Sequence, residues 1–164
     1  MSKKVPLYGM LICLSLIFAY VESCLVVPIP MVPGIKLGLA NVVTLLAFEL
    51  VGARGALIIS VLRVLLSALL FSNPGALLFS MGGCLLSYVA MWLARRSGMF
   101  SVTGTGICGG VFHNIGQLGV AALVIQNGAL FYYLPILLAS GGICGFLTGK
   151  AAQSVLPYLQ RFHA

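Results

Sequence analysis

Aspartate is missing from this chain, and glutamate occurs only at Glu22 and Glu49. Paired-carboxylate catalysis and Asp-rich magnesium sites therefore have almost no material. Charge of either sign is scarce. Only 7% of the 164 residues are Asp, Glu, Lys or Arg, against about 25% in a soluble domain. So few charges cannot coat a water-facing globule of this size. A soluble enzyme, a disordered chain and a nucleic-acid binder are excluded on composition. The five cysteines, Cys13, Cys24, Cys84, Cys108 and Cys144, form no C-x-x-C pair. They read as packing residues inside apolar segments, not as zinc ligands. No metal or cofactor is expected.

What the chain has in quantity is hydrocarbon. Hydrophobic residues make up 61%, and the mean hydropathy is +1.15. A bilayer core takes about 20 apolar residues per helix. Spans are expected near 7–27, 36–51, 55–71, 75–94, 102–126 and 129–150. The fold class is all-α integral membrane, a six-helix bundle forming one domain over 1–164. Pro28, Pro30, Pro33 and Gly34 forbid a continuous helix after the first span. The turns are set by Val51 to Gly55, Ser72-Asn73-Pro74-Gly75, Arg95 to Gly98, and Gln126-Asn127-Gly128.

Cations are placed asymmetrically. With the N-terminus in the cytoplasm, Lys3, Lys4, Arg54, Arg95, Arg96, Lys150 and Arg161 lie inside and Lys36 alone lies outside. That bias is the positive-inside signature, and an even span count puts both termini in the cytoplasm of a cell-membrane protein. The first apolar run exceeds a usual signal core, and Glu22 suits a cleavage site badly, so the first helix is expected to stay uncut.

Small residues recur at helical spacing. Ser15, Ala19 and Ser23 repeat every four residues on the first helix, and Gly82, Gly83, Gly104, Gly106, Gly109, Gly110, Gly141, Gly142 and Gly145 mark later ones. Such residues let helix backbones approach in lipid. They serve either packing within the bundle or, at Ser15-Ala19-Ser23, docking of a partner membrane protein.

Polar side chains inside the spans single out a site. A charge at the bilayer centre costs roughly 2.5–3.5 kcal/mol on insertion scales, so it persists where it faces a cavity or a partner. Glu22 ends the first span, Lys36 and Asn41 open the second, Arg63 lies halfway along the third, and His113, Asn114 and Gln117 sit in the fifth. They fall between the membrane middle and the outer surface, where an outward-open pocket belongs. Their net character is cationic. Arginine offers a planar fork to carboxylate or phosphate, and amides read a ring edge or hydroxyl. Tyr132 and Tyr133 are placed at the pocket mouth or in an interfacial belt. The competing readings are a structural Arg63–Glu22 ion pair, a snorkelling Lys36 and a Glu49–Arg54 pair at the cytoplasmic end.

Pro33-Gly34-Ile35-Lys36-Leu37-Gly38-Leu39-Ala40-Asn41, Arg63-Val64-Leu65-Leu66, Phe71-Ser72-Asn73-Pro74, His113-Asn114-Ile115-Gly116-Gln117, Tyr132-Tyr133-Leu134-Pro135 and Gly145 to Gly149 resemble, in order and spacing, the Gx transporter family. That family also carries the name heptaprenyl diphosphate synthase component I. It is similar in turn to the substrate-capture subunits, or S-components, of energy-coupling factor transporters. The resemblance implies a six-helix bundle that binds a small molecule from outside. It implies partners as well: a transmembrane coupling subunit, met partly through small residues of the first helix, and two cytoplasmic ATPases.

The expected function is a non-enzymatic, membrane-embedded substrate-binding subunit for an anionic ligand such as a flavin nucleotide or an isoprenoid or phosphorylated precursor. Lys36, Asn41, Arg63, His113, Asn114, Gln117, Glu22 and Tyr132 would form its site, and Ser15, Ala19 and Ser23 its docking face. The alternative is a non-catalytic membrane component of prenyl diphosphate synthesis, since a chain without Asp cannot itself hold allylic diphosphate on Asp-rich motifs. A purely structural anchor is the third reading. Gly145 to Lys150 has the wrong spacing for a P-loop and reads as the end of the last helix.

Overall fold

A computed structural model describes residues 4–24, 38–71 and 74–161. All elements among them are helical: α1 (Lys4–Cys24), α2 (Asn41–Leu50), α3 (Gly52–Phe71), α4 (Pro74–Ser97), α5 (Val102–Ile125), a 3-10 turn (Gly128–Tyr133) and α6 (Leu134–Arg161). Five helices are long and apolar enough to cross a membrane: α1, α3, α4, α5 and α6. Their outward faces carry large exposed hydrophobics such as Leu69, Leu123, Ile136 and Ile143, as lipid-facing surfaces must.

The second expected span differs. Its described helix, α2, has ten residues, about 15 Å or half a hydrocarbon core. It starts at Asn41 rather than at residue 36 because Gly38 takes a left-handed φ of +84° and residues 39–40 form a turn. All residues of α2 from Asn41 to Phe48 are buried, and the helix touches α1, α3, α5 and α6. A helix buried along nearly its whole length belongs in an interior, and α2 is the central post of the bundle.

The other boundaries move for local reasons. α3 begins at Gly52, which takes a left-handed φ of +77°; the expected end of the first span, at 25–27, lies outside the described residues. Ser101 caps α5, its hydroxyl accepting the Gly104 N–H at 3.1 Å. After Gln126, which ends α5 in a left-handed conformation, Asn127 accepts the Ala129 N–H at 2.9 Å and opens the 3-10 turn. The last long helix therefore starts at Leu134, with Pro135 in its first turn. It runs on to Arg161, past the expected end at 150. Gly145 to Lys150, expected to end this helix, lie within it.

α5 packs most extensively, against α4 and α6. Glycine makes those seams. A Cβ on Gly106 would stand 2.6 Å from the Gly145 carbonyl oxygen and 2.7 Å from Gly149 Cα, and one on Gly116 would stand 2.5 Å from the Gly82 oxygen. The helix backbones touch, and no side chain fits between them. Gly104 and Gly142 lie outside these seams: an added Cβ on Gly142 meets nothing within 4 Å.

Two apolar clusters close the interior at different levels. One joins Leu7 and Leu11 of α1, most of α2, Ala56 and Ile59 of α3, Met91 of α4 and Ala152 of α6. The other joins Phe79, Leu118, Ala121, Leu130 and Leu137. The first lies toward the end that carries Arg54, Arg95, Arg96, Lys150 and Arg161. The second lies toward the end that carries the 3-10 turn.

Candidate functional site

Between the two clusters the polar side chains collect. Glu22, Asn41, Arg63, His113, Asn114 and Gln117 are all buried, each at most 4% exposed. They are contributed by α1, α2, α3 and α5.

The layer can be followed from contact to contact. The Glu22 carboxylate accepts the backbone N–H of Gly38, and that of Leu39 at 3.3 Å. It thereby ties the end of α1 to the turn that opens α2. A Cβ built on Gly38 would lie 3.0 Å from Asn41 Nδ2 and 3.2 Å from His113 Cδ2, so both side chains close over this turn. The other edge of the His113 ring, with Gln117, presses on Gly83 of α4: a Cβ there would lie 3.1 Å from His113 Cε1 and 2.6 Å from Gln117 Cγ. The next residue of α4, Cys84, stands beside the Arg63 guanidinium. Asn114 turns to α6, donating to the Leu137 carbonyl at 2.7 Å and to Ser140 Oγ at 3.2 Å.

Several buried atoms have no protein partner: Nε and Nη2 of Arg63, Nδ2 of Asn41, Oδ1 of Asn114 and Oγ of Ser80. In a bilayer interior each is costly unless something else engages it. Arg63 stands out. Nε and Nη2 form the edge of the guanidinium with two parallel N–H donors, the geometry that meets two oxygens of one oxyanion. Among the described residues no ion pair joins Arg63 to Glu22.

Three expectations are corrected. Tyr132 is 86% exposed and sits on the 3-10 turn, not on the last helix. That exposure suits the interfacial-belt reading of this aromatic. Ser15 and Ala19 are each 1% exposed, because that stripe of α1 faces the chain's own helices, chiefly α3. Its outward face is instead Met10, Ile17 and Tyr20, so the stripe packs within the bundle. Glu49 pairs with Arg95 of α4 and not with Arg54; Arg54, on the next turn of chain, is exposed. Ser23 is half-buried, its hydroxyl donating to the Tyr20 carbonyl at 2.6 Å. Lys36, the proline-rich stretch 28–35, Ser72 and Asn73 lie outside the described residues.

The sequence reading passed over the small polar residues that extend the layer. Ser60 and Ser67 lie on the same face of α3 as Arg63, and all three are buried. Ser60 bonds Thr44 of α2 at 2.9 Å, and buried Ser80 lies one turn before Cys84. The signal was their three- and four-residue spacing from Arg63 and Cys84.

Lipid-length helices around a buried polar layer define a multi-pass helical membrane protein. Residues 11–155 match the family model described as heptaprenyl diphosphate synthase component I, and the chain belongs to that family. No curated protein and no solved structure matches it.

Proposed function

We propose that this chain is a non-catalytic membrane component of a heptaprenyl diphosphate synthase system, and that its buried layer binds a small anionic ligand. The observation that carries the ligand site is Arg63, 4% exposed, with Nε and Nη2 bonded to no protein atom. A guanidinium in hydrocarbon calls for an anionic partner, and Asn41 Nδ2 adds a donor from α2. The family supplies the prenyl diphosphate context. A chain without Asp leaves elongation chemistry to a soluble, Asp-rich synthase. On this reading the end carrying Arg54, Arg95, Arg96 and Lys150 faces the cytoplasm, as the positive-inside rule favours, and the synthase docks on that side.

The test is to isolate the full-length chain from native membranes in mild detergent. The reading expects a soluble prenyl synthase to be retained, and that enzyme's rate to change when the chain is added back. Neither retention nor a rate change on a folded protein refutes it.

One observation favours a second reading, a solute-binding transport subunit. α2 is a half-length buried helix whose N-terminus opens on the polar layer, and transporters aim such half-helices at anionic solutes. That reading expects a transmembrane coupling subunit and two cytoplasmic ATPases to be retained instead.

A further inference from the structure

Resting on the ligand-binding reading above, we propose that the buried layer takes the diphosphate end of a prenyl diphosphate as the metal-free anion, held by the Nε–Nη2 edge of Arg63 and by Asn41 Nδ2.

Diphosphates are commonly presented to proteins as magnesium complexes, with one or two carboxylates completing the cation's shell. This chain has two side-chain carboxylates, and each already has a protein partner through one oxygen. Glu22 accepts the N–H groups of Gly38 and Leu39, and Glu49 pairs with Arg95 at the basic end. Among the described residues no three His, Cys, Asp or Glu side chains come together as a cation site. The layer offers an anion two parallel N–H groups on Arg63 and an amide N–H on Asn41. The guanidinium edge and a magnesium ion would compete for the same diphosphate oxygens, so the Arg63 fork takes the place the cation would hold. The isoprenoid end has hydrocarbon close by, because apolar clusters bound the layer on both sides. The fork distinguishes Arg63 from a lysine, which would present only a point charge.

The experiment titrates farnesyl diphosphate, and inorganic pyrophosphate in parallel, into the purified full-length chain in detergent. One arm contains EDTA and the other excess magnesium. Saturable farnesyl diphosphate binding is expected in EDTA, with weaker binding in magnesium because the cation competes for the same oxygens. Pyrophosphate is expected to bind more weakly than the prenyl ester. Arg63→Lys is expected to weaken binding by about tenfold, the loss of one charge-assisted hydrogen bond. Asn41→Asp, which puts a negative charge where a donor stood, is expected to abolish it. The magnesium comparison uses the unaltered protein, so it stands whether or not either variant folds. Binding that requires magnesium overturns the metal-free mode and leaves the ligand site standing. No binding of farnesyl diphosphate to folded protein overturns the ligand class, while retention of a synthase, measured separately, still judges the proposed function.

Discussion

The Glu22 carboxylate accepts the backbone N–H of Gly38 across sixteen residues of chain. That contact fixes where α2 begins and pins the end of α1 to it. Glu22→Ala leaves the N–H groups of Gly38 and Leu39 without their acceptor in a buried site. It is expected to destabilise the protein by about 1–3 kcal/mol, with faster amide exchange at the start of α2. Thermal unfolding in detergent with hydrogen exchange checks this; unaltered exchange across 38–45 contradicts it.

The α5–α6 seam predicts a contrast between two glycines of similar helical context. Gly106→Ala forces apart backbones whose nearest atoms would lie 2.6–2.7 Å from the new Cβ, whereas Gly142→Ala points into open space. The first is expected to cost about 1–3 kcal/mol by overpacking. The second is expected to stay within about 0.5 kcal/mol of the parent. Equal unfolding midpoints for the two variants count against the seam.

Much of this architecture could be read from the chain. Pro74, Ser101, and Gln126 with Asn127 mark helix boundaries through backbone and capping chemistry that is local. Arg63, His113, Asn114 and Gln117 announce themselves as polar residues in spans that lipid would otherwise fill. What stayed hidden depends on partners distant in sequence. Hydropathy locates the bilayer and not the end of a helix, so α6 runs past Lys150 to Arg161, with Pro157 inside it. Glu49 lies five residues from Arg54, but Arg95, on the same packed end of the bundle, reaches it. The Ser15-Ala19 stripe suits partner docking and internal packing equally, and only the position of α3 decides. Tyr132 followed from its interfacial character, which says nothing about which way a turn points it.

The Glu49–Arg95 pair sits at the basic end with side chains 17% and 31% exposed. A double-mutant cycle of Glu49→Gln and Arg95→Gln is expected to show a coupling below about 1 kcal/mol. The same cycle with Arg54→Gln is expected to show none. A larger coupling to Arg54 than to Arg95 contradicts the pairing.

Tyr132 gives a check outside the layer. Its ring is 86% exposed on the 3-10 turn, so Tyr132→Ala is expected to leave anion binding unchanged and stability within about 0.5 kcal/mol. Loss of binding in that variant would move the site outward, to the mouth of the bundle.

The central claim is that an anion sits against Arg63 inside the bundle. Native mass spectrometry of the intact chain, released from detergent beside Arg63→Gln, tests it most directly. The account predicts a phosphorylated small molecule retained by the parent and lost from a variant with the same unfolding midpoint. Equal retention of the same molecule by both proteins contradicts it.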